Sequence, residues 1–90
     1  MKYTVVWTRA AEADLAEIWI AAVDRESVTH AARRADELLR NDAPAHGESR
    51  SGSFRVLFVP PLGIEFEVLE QDRMVYVLTL WSFKPRRHSS

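Results

Sequence analysis

The chain has 90 residues, of which 47% are hydrophobic and 28% are charged, and its formal net charge is −1. This composition excludes an intrinsically disordered chain, and the near-zero charge argues against a dedicated nucleic-acid-binding protein, which is usually basic. The absence of cysteine excludes disulfides, cysteine-ligated metals and thiol nucleophiles, and the length predicts one domain over residues 1–90.

The first predicted element is a β-strand over Tyr3–Trp7, because this segment is rich in β-branched and aromatic residues. Its apolar stretch is interrupted by Arg9 and is too short for a signal peptide. No apolar run in the chain reaches the roughly 18 residues that a membrane span needs. We therefore expect a cytoplasmic protein with no membrane association.

Two helices are predicted next. Thr8 has the character of an N-cap, and the apolar residues behind it recur at helical spacing, with acidic residues Glu12, Asp14 and Glu17 on other faces. The buried face of this first helix is predicted to comprise Ala11, Leu15, Ile18, Trp19 and Ala22. Either Asp24 or Ser27 caps a second helix, whose apolar face is Val28, Ala31, Ala35, Leu38 and Leu39. The short break between the helices favours an antiparallel hairpin.

The second half of the chain is predicted to be a loop followed by three strands. Residues 43–53 have a loop composition, and from Phe54 the apolar residues alternate with a period of two. A turn at Pro60–Gly63 separates the first two of these strands. The last strand, Met74–Phe83, is apolar on both faces, which is typical of a strand inside a sheet.

The order β-α-α-β-β-β predicts a two-layer α+β domain, with the helical hairpin packed on one face of a largely antiparallel sheet. We expect Leu15, Ile18, Leu38, Leu39, Val56 and Phe66 to share its core. A hairpin centred on Pro60–Leu62 places Arg55 opposite Glu67 and Leu57 opposite Glu65, with Arg55 either paired to Glu67 or free. In this register Phe54, Val56 and Phe58 lie under the helices. The uncovered face then exposes Leu57, Val59, Leu69, Tyr76, Leu78 and Leu80.

Few residues indicate chemistry. The histidines, His30, His46 and His88, are scattered, no glycine-rich phosphate loop is present, and the serines at 49, 51 and 53 have no base at a useful spacing. We therefore expect no cofactor and no metal. Trp7 and Trp81 are either core residues or an aromatic platform for a partner.

The densest basic stretch, within a predicted C-terminal tail over residues 84–90, contains Lys84, Arg86 and Arg87. It is either a solvated terminus or an electrostatic contact for an acidic partner. Together with the apolar residues of the uncovered face, it predicts a protein-binding surface. The candidate partner-binding residues are Leu57, Leu69, Tyr76, Leu78, Leu80, Lys84, Arg86 and Arg87.

Over residues 3–83 the chain resembles the RelE/ParE superfamily of toxins from type II toxin–antitoxin modules, the plasmid stabilisation type. The resemblance rests on the element order, on Thr8 opening a helix with Ala-x-x-x-Leu-x-x-Ile, and on Gly52-Ser53-Phe54-Arg55-Val56 followed by Ile64-x-Phe66-x-Val68 and a final apolar strand. The resemblance implies that the first strand lies beside the last.

The superfamily contains two kinds of toxin, and the resemblance implies different site residues for each. Relatives of RelE cut messenger RNA on the ribosome with basic residues on the sheet, whereas relatives of ParE bind DNA gyrase. Of the basic positions of RelE-type toxins, only Arg55 is kept in this sequence. The next basic position on the same strand is occupied by Leu57, and that of the following strand by Leu62 or Gly63. Near the end of the chain, where RelE-like toxins have His, Arg or Tyr, this sequence has Ser82 and Phe83.

We therefore expect a ParE-like toxin that binds a protein target, with non-enzymatic action favoured over catalysis. Its partners would be a cognate antitoxin, wrapped around the helical hairpin or the open sheet face, and a target such as gyrase; a homodimer is a further possibility. The alternatives are a divergent ribosome-dependent endoribonuclease, using Arg50, Arg55 and the basic tail, and a non-toxic interaction module.

Overall fold

A computed structural model describes residues 2–83, so that the predicted basic tail lies outside the described residues. In chain order the elements are β1 (Thr4–Trp7), α1 (Arg9–Ala21), α2 (Arg25–Arg40), a short 3-10 helix (Ala43–Ala45), β2 (Glu48–Ser51), β3 (Phe54–Val59), β4 (Leu62–Leu69) and β5 (Met74–Ser82). Two helices pack on a mostly antiparallel sheet, and the predicted two-layer α+β architecture is confirmed.

The sheet has five strands in the order β1-β5-β4-β3-β2, one more than predicted. β1 runs parallel to β5, so the first strand does lie beside the last, and β5 is an interior strand as its two apolar faces indicated. The additional strand, β2, lies in the segment predicted as a loop. Its sequence, Glu-Ser-Arg-Ser, is exposed throughout, so it carries no apolar alternation that could mark it as a strand.

Both helices begin at the predicted capping positions. The Thr8 side chain accepts a hydrogen bond from the Ala11 N–H and also donates to the Val77 carbonyl at 2.7 Å, which ties the start of α1 to β5. Asp24, rather than Ser27, caps α2. The Ser27 hydroxyl and backbone N–H both donate to the Asp24 carboxylate, and these hydrogen bonds lower the pKa of Asp24 below its usual value of 3.8.

The core lies between the helices and one face of the sheet. Its fully buried large side chains are Phe66, Leu39, Leu62, Ile64, Val28, Val75 and Val77. Leu15, Ile18 and Leu38 are partly buried and pack against it, in agreement with the predicted core. Neither helix in the described part of the chain is long and apolar enough to cross a membrane.

β3 presents the opposite face from the one predicted. Leu57 pairs with Ile64 and is 9% exposed within the core, whereas Phe58 is 46% exposed. The predicted pairing of β3 with β4 was wrong by one residue. Val59 pairs with Leu62, so the turn between the two strands contains only two residues. Since side chains alternate along a strand, a slip of one residue turns the whole strand over. Val56, predicted to lie in the core, is buried on the other face of the sheet.

A β-bulge in β5 changes the face on which Leu80 lies. The register shifts between the pairs Glu65–Thr79 and Phe66–Val77, which leaves Leu78 as the extra residue. Leu80 therefore lies in the core and is 4% exposed, although it was expected on the uncovered face. Its backbone N–H donates to the Asp14 carboxylate at 3.1 Å, so Asp14 contacts the sheet rather than lying on another face of α1.

Candidate functional site

The face of the sheet that the helices leave uncovered is called the open face here. The pairing of the strands shows which residues lie on the open face, because residues directly opposite one another on neighbouring strands lie on the same face. Four neighbouring strands contribute to it. The residues are Val6 on β1; Met74, Tyr76, Thr79 and Trp81 on β5; Gly63, Glu65, Glu67 and Leu69 on β4; and Phe54, Val56 and Phe58 on β3.

One end of the open face is an aromatic cluster of Phe58, Trp81 and Phe83. The Phe58 ring centroid lies 6.1 Å from that of Trp81 and 5.4 Å from that of Phe83, in edge-to-face arrangements. The Trp81 ring covers Gly63, where an added Cβ would come within 2.3 Å of the indole. Glycine at this position therefore lets the tryptophan lie flat on the sheet and present an aromatic surface.

The two tryptophans thus have different environments. Trp7 packs against the core, and its indole N–H donates to the Asp36 carboxylate at 3.0 Å. Trp81 lies on the open face, half-buried. Trp7 is therefore a residue packed against the core, whereas the position of Trp81 is compatible with an aromatic platform for a partner.

The middle of the open face is acidic. Glu65 lies between Val56 and Thr79 on the neighbouring strands, and Glu67 lies between Phe54 and Tyr76. Glu48 on the edge strand β2 pairs with Val56 and adds a third carboxylate. Within residues 2–83 none of these three carboxylates forms an ion pair; Glu67 accepts a hydrogen bond from the Ser53 hydroxyl at 2.9 Å.

Arg55 is turned away from this face. It pairs with Phe66, whose side chain is fully buried in the core, so its own side chain leaves the sheet on the helix side. Its Nε donates to the His46 carbonyl and its Nη2 to the Gly47 carbonyl, each at 2.9 Å. Arg55 is therefore neither paired with Glu67 nor free, and it fastens the segment before β2 to β3.

The candidate partner-binding residues do not lie together on one surface. Leu57 and Leu80 are core residues, so their predicted place on the uncovered face is wrong. Leu69 and Tyr76 are half-buried on the open face, and Leu78 is half-buried at the bulge. Lys84, Arg86 and Arg87 lie outside the described residues.

A second apolar surface, which the sequence did not reveal, lies between the two helices on their solvent side. This hairpin groove is lined by Leu15, Ala16, Trp19, Ile20, Val28 and Ala32, with Glu12, Thr29 and Arg33 at its borders. Trp19 is 41% and Ile20 65% exposed. Trp19 was expected on the buried face; it lies instead under the guanidinium of Arg25, 4.5 Å from the ring centroid. The consecutive Ile-Trp-Ile of residues 18–20 is wider than one buried stripe, but this pattern does not indicate which of the three side chains is exposed.

Among the described residues no group of three histidine or carboxylate side chains is placed to hold a metal ion. The open face combines aromatic rings with carboxylates, and the hairpin groove exposes large apolar side chains.

Comparisons with known proteins connect this arrangement to a fold. No family model and no curated protein matches the chain, but several solved structures do. The chromosomal ParDE toxin–antitoxin system of Pseudomonas aeruginosa aligns with a TM-score of 0.68 at 22% identity, covering 92% of this chain and 98% of the other. The RelBE2 toxin–antitoxin complex of Mycobacterium tuberculosis aligns with a TM-score of 0.70 at 15% identity, covering 91% and 99%.

The isolated RelE toxin of Escherichia coli also aligns, with a TM-score of 0.55 at 15% identity, covering 93% of this chain and 87% of the other. The three similarities extend over nearly the whole described chain. The chain therefore has the RelE/ParE toxin fold, in agreement with the resemblance seen in its sequence.

Proposed function

We propose that the chain is the toxin component of a type II toxin–antitoxin module, and that it acts by binding a protein target in the manner of ParE-type toxins rather than by cutting messenger RNA. The toxin identity is supported by the shared fold, since solved structures with this fold include the toxins of ParDE and RelBE2 systems. DNA gyrase is the candidate target that the ParE resemblance implies.

The observation that carries the binding mode is the chemistry of the open face. Cleavage of RNA requires cations that neutralise the phosphate and a general acid or base beside them. The five described strands contain two basic residues. Arg50 lies exposed on the edge strand β2, and the guanidinium of Arg55 is bound to backbone carbonyls on the helix side. Glu65 and Glu67 occupy the open face instead, and their charge repels a phosphodiester.

The antitoxin is proposed to cover the hairpin groove. Trp19 and Ile20 are among the most exposed large apolar side chains of the described residues, and the groove beside them has the form that receives the apolar face of a partner helix. Covering these side chains would remove from water an apolar surface that isolated proteins rarely leave exposed.

Expression of the chain in a bacterial host, alone and together with the product of the short reading frame next to its gene, tests this function. We expect growth arrest by the chain alone, relief by co-expression, and co-purification of the two proteins. Inhibition of DNA supercoiling by purified gyrase then tests the target. Absence of both arrest and complex would contradict the toxin assignment.

Two exposed alanines of α1 provide a matched test of the binding surface. Ala16 lines the hairpin groove, whereas Ala13, one turn away on the same helix, does not. We expect Ala16→Glu to weaken the complex at least tenfold in Kd, or about 1.4 kcal/mol, because it places a charge against an apolar partner surface, while Ala13→Glu leaves Kd unchanged. Equal effects of the two substitutions in isothermal titration calorimetry would place the antitoxin elsewhere.

A further inference from the structure

The edge strand β2 has a partner on one side of its backbone only. β2 lies at the end of the strand order, pairs with β3 and is exposed throughout. Among the described residues, no backbone hydrogen bond outside the pairing of β2 with β3 involves residues 48–51. An edge of this kind is a template for a further strand, and the sequence of β2 indicates which strand fits it.

The hydrogen bonds of the neighbouring strands show which residue of β2 directs its backbone outward. The Val68 N–H donates to the carbonyl of Ser53, the residue before β3, at 2.9 Å. Because backbone groups alternate in direction along a strand, residues 54 and 56 direct theirs towards β2 rather than β4. Glu48, which lies opposite Val56, is therefore hydrogen-bonded to β3, and the N–H and carbonyl of Ser49 point to the free edge.

The residues on either side of Ser49 carry opposite charges. Glu48 and Arg50 project from the same side of β2, because side chains alternate along a strand. Neither forms an ion pair within residues 2–83, and Arg50 is the residue that the bulge of β2 leaves without a partner on β3. The free edge therefore presents one hydrogen-bonding residue flanked by a carboxylate and a guanidinium.

We propose that two copies of this chain pair through their β2 strands, antiparallel and centred on Ser49. A two-fold axis at Ser49 lets the two serines exchange both of their outward backbone hydrogen bonds. The same axis places Glu48 of each copy opposite the partner's Arg50, so the register that satisfies the backbone also joins opposite charges. Centring the pair on Glu48 or on Arg50 would instead place like charges opposite each other.

The pairing is weak and reversible. Only the four residues of β2 take part from each copy, and exposed ion pairs contribute little individually, so the two copies separate on dilution. The contact is independent of the proposed toxin function. It joins two five-stranded sheets edge to edge and leaves Glu65 and Glu67 on β4 uncovered, so the charge that supports the binding mode is retained.

Disulfide cross-linking of the full chain tests this register. The chain has no cysteine, so Ser49→Cys introduces a single thiol. The Cα atoms of a hydrogen-bonded antiparallel pair lie about 5.5 Å apart, within the range of a disulfide. Ser51→Cys is the control, because in this register its two copies lie about 13 Å apart along the strands. We expect Ser49→Cys to form the linked dimer at least about tenfold faster, as measured on gels without reductant.

Charge exchange in the Ser49→Cys background separates specific pairing from chance collision. Glu48→Arg or Arg50→Glu places like charges opposite each other and should slow cross-linking to the rate of the Ser51→Cys control. The two substitutions combined make the charges opposite again and should restore the fast rate. Equal rates for Ser49→Cys and Ser51→Cys, or a slow rate in the combined variant, would overturn the proposal.

The native chain provides a measurement that needs no substitution. We expect the amide signal of Ser49 to shift as the protein concentration rises from micromolar to millimolar, while those of Ala13 and Glu17 on α1 stay in place. A Ser49 signal independent of concentration would overturn the proposal. A shift that occurs only on addition of the product of the neighbouring reading frame would also overturn it, because the edge would then belong to that protein.

Discussion

Arg55 illustrates how the same residue type serves different purposes according to the face from which it projects. On the helix side its guanidinium satisfies two backbone carbonyls, those of His46 and Gly47, which end the segment between the 3-10 helix and β2. On the open face the same guanidinium would lie beside carboxylates and be available to a phosphate. Its role in the structure is therefore to hold the polar edge strand in place.

The first prediction concerns this role. Arg55→Ala should lower the free energy of unfolding by about 1.5–3 kcal/mol, the range for hydrogen bonds to charged groups, as measured by urea denaturation. Arg50→Ala provides the control, because Arg50 is exposed on β2 and its removal should change stability by less than about 0.5 kcal/mol. Equal stabilities of the two variants would show that the guanidinium does not hold this segment.

Individual residues of the site were only partly predictable from the sequence. The Thr8 cap and the acidic pair Glu65 and Glu67 on the uncovered face follow from local spacing. The exposure of Trp19 does not, because its spacing fits the buried stripe of α1 and only the packing of Arg25 over its ring shows otherwise. The hydrogen bond from Leu80 to Asp14 joins residues 66 positions apart, and no local pattern contains it.

At the scale of elements, the β3–β4 hairpin determines which side chains the protein presents to a partner. Its two-residue turn pairs Val59 with Leu62. As a result the aromatic residues Phe54 and Phe58 lie on the open face, and Leu57 is in the core. A three-residue turn would exchange these two sets, and Arg55 would then lie on the open face.

Alanine substitutions at two adjacent positions test this register. Leu57→Ala should destabilise the protein by about 2–5 kcal/mol, as truncation of a buried leucine does. Phe58→Ala removes a half-exposed ring and its aromatic contacts, and should cost about 1.5 kcal/mol or less. Thermal or urea denaturation of both variants measures the difference, and the reverse order would show that β3 has the opposite face in the core.

Most elements, but not all of their pairings, could be read from the sequence. Helical spacing and β-alternation identify α1, α2, β3, β4 and β5. The sequence Pro60-Pro61-Leu62-Gly63 admits turns of two or three residues, so it does not fix the register. The polar strand β2 is identified only by its pairing with β3, and the bulge at Leu78 follows directly on Val77, the last residue of β5 that pairs with β1.

At the scale of the whole molecule, the fold separates two surfaces of different chemistry. The hairpin groove is apolar and suits a helix of a partner, whereas the open face is acidic and aromatic. The layered architecture could be predicted from the order of elements. The hairpin groove could not, because its exposure depends on how α1 and α2 pack together over the sheet.

We propose that this chain, which combines the RelE/ParE toxin fold with an acidic open face, does not cut RNA. Incubation of the purified protein with ribosomes and a defined message, followed by primer extension, tests it most directly, with the Escherichia coli RelE toxin as the positive control. We predict an intact message at protein concentrations where the control cleaves completely. Site-specific cleavage by the native chain would contradict the proposal.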